Sequence, residues 1–509
     1  MPGAPNAPPL RELQSEIESF VNSLSHPIVA EEDAVLFDLT AASWRLTVQF
    51  DKLLLEVWNA ARTIVRRVEE IAYRDRGKLG LFVRKAGGRG TTTLEIRELT
   101  VAERPEPART RARFDRELLA MLEREYPGWK FERVSHRSDR EHSFSTHYTR
   151  GVARRGTTAW AFLGLAPDEP SAASDAMLAY GIIWLDWLRS RADRLAVGGL
   201  KLFLPRPAVE LVAHRAACLD PRALHLEILE WEPGEPQPAP LELNDYGNVA
   251  SRLAPRRQAK ALLEQHACFI RDLLGEFLPQ VDVVPGTTPN TLSLRVLGLE
   301  VARIEGLLAP RVFFGLEGSF RRLDPADRPE FRDFLSRVLE VRRAEGGDRA
   351  HEFYRLQSER WLESLLVRDI TRVDPELRPE FVYPQVPAFA GQDRGVIDIL
   401  AASNRGRLAV IELKLDEDIN LPLQGLDYWL RVRWLHERGQ FQEFGYFPSV
   451  ELRPDPPLLY LVSPAFRFHS TSDRVIRYLA PSIEVVKVGV NQQWRSGVEV
   501  LFRRSGREK

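Results

Sequence analysis

Short runs in which every second residue is apolar dominate the first hundred positions. AVLFDL at 34–39 and WRLTVQF at 44–50 have the two-residue period of half-buried strands, and KLGLFVRK at 78–85 and TTTLEIREL at 91–99 are strands of the same kind. Residues 10 to about 25 carry the amphipathic pattern of a helix, and VWNAARTIVRRVEEIAYR, 57–74, is predicted to be a longer one. GGRG at 87–90 lacks the lysine and following helix of a phosphate loop and is predicted to be a hairpin turn. Together these elements predict a small α+β domain over 1–105. ERPEPART, 103–110, has the prolines and alternating charges of an extended linker.

A second segment, 106–235, begins with a helix at RARFDRELLAMLEREY. Strands follow at WKFERV, HYTRGVA and TTAWAFLGL, then the helix ASDAMLAYGIIWLDWLRSR and the strands GLKLFLP and LHLEILEW. The Pro-rich EPGEPQPAP at 232–240 closes it. A connecting α+β region, 236–345, has helices at 253–279 and 326–344 around short strands at 290–316. The last segment, 346–509, runs through the helix RAHEFYRLQSERWLESLLVRDI, strands, the helix LPLQGLDYWLRVRWLHERG and closing strands. The expected class is therefore α/β, of the mixed α+β kind.

The second and last segments repeat one order: helix, strands, helix, strand. TRGVARRGTTAWAFLGLA lies on DRGVIDILAASNRGRLAVIELKLD with a six-residue gap, which sets Glu412 opposite Phe162, Lys414 opposite Gly164 and Gln424 opposite Ile182. On this reading 106–235 is a degenerate second copy that has lost the polar groups able to do chemistry. Chance likeness between two α/β units is the alternative.

Composition narrows the class without naming a function. At 509 residues, 44% hydrophobic and 28% charged, the chain is long enough for several cores and has the balance of a globular protein. A net charge of −1 gives no overall attraction for nucleic acid, so such binding has to come from local patches. His136, His142 and His147 have no metal-ligand spacing, and Cys218 and Cys268 are expected to be reduced. The N-terminus lacks the basic start and apolar run of a signal peptide, and no run approaches the roughly 20 apolar residues of a membrane span. A cytoplasmic location, with no membrane partner, is the expectation.

Chemistry concentrates in GVIDILAASNRGRLAVIELKLDEDINLPLQGLDYWLRV, 395–432. On a strand over 407–415, Glu412 and Lys414 point to one face, and Ile411 and Leu413 to the other. SNRG at 403–406 has turn chemistry that folds the preceding strand back antiparallel and brings Asp398 beside Glu412. Two neighbouring carboxylates repel unless a cation or proton separates them, and hard oxygen ligands suit Mg²⁺ or Mn²⁺. The Leu413 carbonyl offers another oxygen, and the Lys414 ammonium would stand beside a bound water or phosphate. Gln424 and Tyr428, four apart after Pro422, share one face of the next helix.

The order and spacing of Asp398, Glu412 and Lys414 resemble those of the PD-(D/E)XK nuclease superfamily. Gln424 and Tyr428 match the QxxxY motif of its RecB-like branch, and the resemblance covers about 350–490. It implies a restriction-endonuclease-like αβββαβ core and metal-dependent hydrolysis of phosphodiester bonds, in DNA by preference. Asp398 and Glu412 would hold Mg²⁺ or Mn²⁺, with Leu413 and a helix glutamate assisting. Of Glu359 and Glu363, the latter is preferred because it lies in the apolar stripe. Lys414 would manage the attacking water, and Gln424 and Tyr428 would position the strand. Arg394, Arg405, Arg407, Arg431 and Arg433 surround the motif and are expected phosphate contacts. Residues 1–105 would engage a protein partner or a second copy of the chain. The alternative is a non-catalytic nucleic-acid-binding protein or scaffold that keeps the fold, with Glu412 and Lys414 an exposed pair on a sheet edge.

Overall fold

The computed structural model describes residues 10–506 except 25–26, 32–33, 40–41, 50–51, 59–62, 76, 86–90, 99–106, 140–141, 192–195, 242–250, 254, 287, 289, 346 and 391–394. The expected turn at 87–90 and the first half of the linker, 103–106, fall outside these, while 107–110, expected to be extended, begin the helix Pro107–Glu125. The described residues form 11 α-helices and four sheets, a mixed α/β architecture. None of the helices is long and apolar enough to cross a membrane. The chain makes two compact units, each from two stretches: 1–105 with 258–364, and 106–257 with 365–509. The four segments set out in sequence order thus associate in alternating pairs, and the division falls inside the helix Ser358–Arg368.

In the first unit, seven antiparallel strands carry the helix Leu10–Ser23, whose Leu13, Ile17, Phe20 and Val21 pack on Leu53, Leu55, Val57, Leu79 and Leu81. The predicted helix at 57–74 is instead the strand Thr63–Asp75, between Lys52–Trp58 and Lys78–Lys85. Its pairing slips at Val68/Glu70 and at Ile71/Tyr73. Each bulge inserts one residue, so its apolar residues fall at 65, 68 and 71, a spacing that imitates a helix. A five-stranded antiparallel sheet, 282–322, completes this unit with the helices Arg256–Leu274 and Arg328–Val341.

The predicted helix at 349–370 breaks at Gln357, where φ is +47°, into Glu352–Arg355 and Ser358–Arg368. At its start, burial raises the Glu352 carboxyl to about 7. Burial and the nearby Arg337 lower His351 to about 4. A carboxyl harder to ionise when folded loses stability as pH rises from about 4.5 to about 7. An imidazole harder to protonate when folded loses stability as pH falls from about 6.5 to about 4. Relative to the parent, Glu352→Gln is therefore expected to gain stability as pH rises through the first window. His351→Asn, which keeps a cap acceptor, should gain as pH falls through the second. Urea denaturation across both windows checks the two signs.

The second unit holds two sheets of matching design. The first is formed by β1 (Lys130–Ser135), β2 (Tyr148–Arg155), β3 (Thr158–Leu165), β4 (Ala196–Leu204), β5 (His225–Glu230) and β6 (Ala239–Pro240). Its helices are α1 (Pro107–Glu125) before β1, α2 (Ser171–Ser190) between β3 and β4, and α3 (Arg206–Ala216) between β4 and β5. The second sheet adds a short edge strand, β7 (Ser251–Leu253), to β8 (Leu377–Ala390), β9 (Val396–Ser403), β10 (Leu408–Leu413), β11 (Leu458–Pro464), β12 (Val485–Val490) and β13 (Val500–Ser505). Here α4 (Leu421–Glu437) joins β10 to β11, and α5 (Ser472–Arg477) joins β11 to β12.

Both sheets run in sequential strand order, and, the added β7 aside, the successive pairings in each are antiparallel, antiparallel, parallel, parallel, antiparallel. The echo in the sequence is thus a repeat of topology. Its register differs from the sequence alignment. Gly181 in α2 lies against Leu200 and Leu202 of β4, and Gly425 in α4 lies against Leu459 and Leu461 of β11. Leu202 pairs with Leu163, and Leu461 with Glu412. Glu412 therefore corresponds to Leu163 rather than Phe162, Lys414 to Leu165 rather than Gly164, and Gln424 to Tyr180 rather than Ile182. Phe162 faces the other side of its sheet, in the core beneath α1.

The two copies share one hydrophobic core. Where they meet, Leu219 and Leu479 form an antiparallel bridge, with Ala480 N donating to Cys218 O and Asp220 N to Tyr478 O, both at 2.8 Å. Leu219 stands six residues before β5, and Leu479 six before β12, so equivalent positions meet each other as they would on a local two-fold axis. Helix α2 packs on α5, and α4 reciprocally on α3. Arg215 in α3, 2% exposed, reaches Asp427 in α4 through two bonds of 2.9 and 2.6 Å.

Candidate functional site

Strand β10 lies in the middle of its sheet, between β9 and β11, and Glu412 is 4% exposed. An exposed edge pair is therefore not what the chain builds. Ile399 pairs with Ile411 across the hairpin, so the next positions outward are Asp398 and Glu412. The alternation that sends Leu400 and Val410 into the core under α4 puts both carboxylates on that same face. Leu413 N donates to Asp398 Oδ2 at 3.1 Å, which ties the aspartate to the far end of β10. Lys414 N donates to Val462 O at 3.0 Å, so the parallel ladder continues one residue beyond β10. Alternation then directs the Lys414 side chain to the Glu412 face.

Helix α4 closes this face because Gly425 lets it approach β11 directly: a methyl group there would come within 2.8 Å of Leu461. Leu423, Leu426 and Trp429 enter the core, which holds Gln424 and Tyr428 toward the carboxylates at partly buried positions. Burial above all, and then the charges of Glu412 and Asp398, push the Tyr428 phenol far above the usual tyrosine range. Tyr428 thus stays protonated and can donate to an oxygen at any working pH. Gln424 Oε1 is buried without a hydrogen-bond partner, an acceptor on the same face of α4.

The remaining expected residues are dispersed. Arg431, 5% exposed, donates to Ala388 O at 2.8 Å and lies 5.6 Å from the Tyr428 ring. Its guanidinium fills the space that a side chain at Gly395 would need. It therefore holds Tyr428 and the start of the hairpin in place instead of facing a phosphate. Arg407 is committed to Glu484 by two 3.0 Å bonds, and Arg405 is exposed beside Glu376. Both belong to the hairpin turn, at the opposite end of the strands from the carboxylates. Five residues separate Arg407 from Glu412, roughly 17 Å along a strand. Arg433 pairs with Glu437 at 2.7 Å on the exposed side of α4. Arg394 lies outside the described residues.

Glu363, 4% exposed, pairs with Arg360 at 2.7 Å and belongs to the first compact unit. Among the described residues, no three or more His, Cys, Asp or Glu side chains form a group suited to a metal ion. On this face of the second unit two acidic side chains come together, Asp398 and Glu412. Two carboxylates on adjacent strand positions are a hard-oxygen donor pair, and they fit Mg²⁺ or Mn²⁺, with water completing the coordination. The positioning role of Arg431 was not read from the sequence. Its signal was there, since it follows Tyr428 by three residues on one helical face.

No family model matches the chain, and no curated protein matches it.

Proposed function

We propose that the protein is a metal-dependent nuclease that hydrolyses phosphodiester bonds in DNA, with a restriction-endonuclease-like core in its C-terminal copy. The observation that carries this reading is the convergence of Asp398 and Glu412 on one buried face of a central hairpin, beneath a helix that presents Gln424 and Tyr428. Glu412 is buried and Asp398 half-buried beside it, and two neighbouring carboxylates repel unless a cation or a proton separates them.

Asp398 and Glu412 would hold Mg²⁺ or Mn²⁺, with the Leu413 carbonyl as a further oxygen donor. The bound ion supplies Lewis-acid polarisation of a phosphate and a more acidic water. Lys414, on the same face, neutralises charge on the phosphate and orients the attacking water. Tyr428 donates to a phosphate or sugar oxygen, and Gln424 supplies both a donor and an acceptor beside it. Arg431 keeps Tyr428 in position.

The test is incubation of the purified chain with linear, circular and single-stranded DNA in Mn²⁺, alongside Asp398→Asn and Lys414→Ala. Cleavage that both variants lose supports the reading. Cleavage unchanged in the variants, or absent from the parent, overturns it in favour of a scaffold.

A further inference from the structure

Register equivalence between the two copies assigns a counterpart to every residue of the proposed site. Leu163 pairs with Arg150 in the first copy, where Glu412 stands across from Asp398 in the second, so Arg150 occupies the aspartate's position. Leu163 replaces Glu412, and Leu165 replaces Lys414. Counting from Gly181 and Gly425, Tyr180 replaces Gln424 and Trp184 replaces Tyr428. Contacts bear out this register: Trp184 lies over Arg150 at 5.7 Å, as Tyr428 lies within the electrostatic reach of Asp398.

The chemistry is inverted at this second position. Both carboxylates are gone, and a guanidinium 8% exposed stands in the place of a metal ligand. It packs against Phe144 at 4.6 Å and Trp184 at 5.7 Å, and it donates to Arg137 O at 2.7 Å. Phe144 and Trp184 themselves meet edge to face at 5.3 Å. A cation held against two aromatic rings repels a metal ion, and neither carboxylate of the second copy has an acidic counterpart here. What survives is the outer face of the fold, the α2, α3 and Leu219 surface against which the second copy packs.

From these replacements we infer that each chain carries one hydrolytic centre beside a built-in inactive partner, and that it cuts one strand of duplex DNA per encounter. The inference rests on the nuclease reading. In each event a water oxygen bonds to phosphorus and one P–O ester bond breaks. The water's proton passes to the leaving oxygen, which yields a phosphomonoester and a hydroxyl. The opposite strand meets no second centre in the same chain, so the product is a nick.

Supercoiled plasmid, limiting full-length protein and Mn²⁺ provide the test. The expected first product is the open circle, formed at a rate proportional to protein concentration, with linear DNA appearing only after a lag as independent nicks coincide. Linear DNA formed without a lag, or a second-power dependence on protein, overturns the inference. So does degradation of linear DNA with closed circles untouched, although that outcome keeps the nuclease reading. Failure to cut any DNA removes both. As a readout independent of cleavage, Mn²⁺ binding followed by electron paramagnetic resonance should be lost entirely in Asp398→Asn. Binding retained when Asp398→Asn is combined with Glu412→Gln would place a metal centre outside this pair and overturn the inference.

Discussion

Asp398→Asn and Lys414→Ala should each lower DNA cleavage in Mn²⁺ by about 10²–10⁴-fold, the range expected when a group that positions or activates the nucleophile is removed. Asp398→Asn should not lower stability. The carboxamide introduced by Asp398→Asn retains an oxygen for the Leu413 amide, whose nitrogen lies 3.1 Å from Asp398 Oδ2 in the parent. Removing one of two facing carboxylates also relieves repulsion in the metal-free protein. Cleavage assays paired with urea denaturation check both halves of the prediction. A variant that loses activity together with several kcal/mol of stability would mean that the carboxylate is a structural element. Equal stability with lost activity is the signature of a residue kept for chemistry.

Arg215→Met should have the largest effect on folding. Arg215 is 2% exposed, and its bonds to Asp427 link α3 of one copy to α4 of the other. Its guanidinium also donates to Asp175 O. Removing it strands Asp427 in a largely dry interface, at a cost of about 3–5 kcal/mol. Replacing both partners, as Arg215→Met with Asp427→Leu, should recover most of that loss because no uncompensated charge remains. Denaturant titration of the parent, the two single variants and the double variant forms the required cycle. Asp427 immediately precedes Tyr428, so the single variants should also lose cleavage through displacement of the start of α4.

The hairpin and the helix after it were legible because their signals are local. Alternation in LAVIEL, the turn residues SNRG and the four-residue spacing of Gln424 and Tyr428 each fit within a few residues, and the structure places all three as read. Thr63–Asp75 was misread for the opposite reason. Two bulges break its period, and only its neighbours on either side, Lys52–Trp58 and Lys78–Lys85, decide that it is a strand. The arginines were misplaced because nearness in sequence is not nearness along a hairpin. Arg405 and Arg407 sit at its turn while Asp398 and Glu412 sit at its open end. Arg431, counted among the exposed contacts, faces inward because α4 turns that side toward Ala388.

By itself, the sequence determined which residue types lie on which face of each short element, since side-chain direction follows from the periods of strand and helix. That was enough to pair Asp398 with Glu412 and to set Gln424 and Tyr428 on one stripe. Only the tertiary structure decided the register between the two copies, the meeting of Leu219 with Leu479, and the packing of Arg150 against Phe144 and Trp184. The first two depend on packing between segments more than 200 residues apart, where a shift of one residue exchanges the inner and outer faces of a strand and leaves the sequence pattern nearly as plausible.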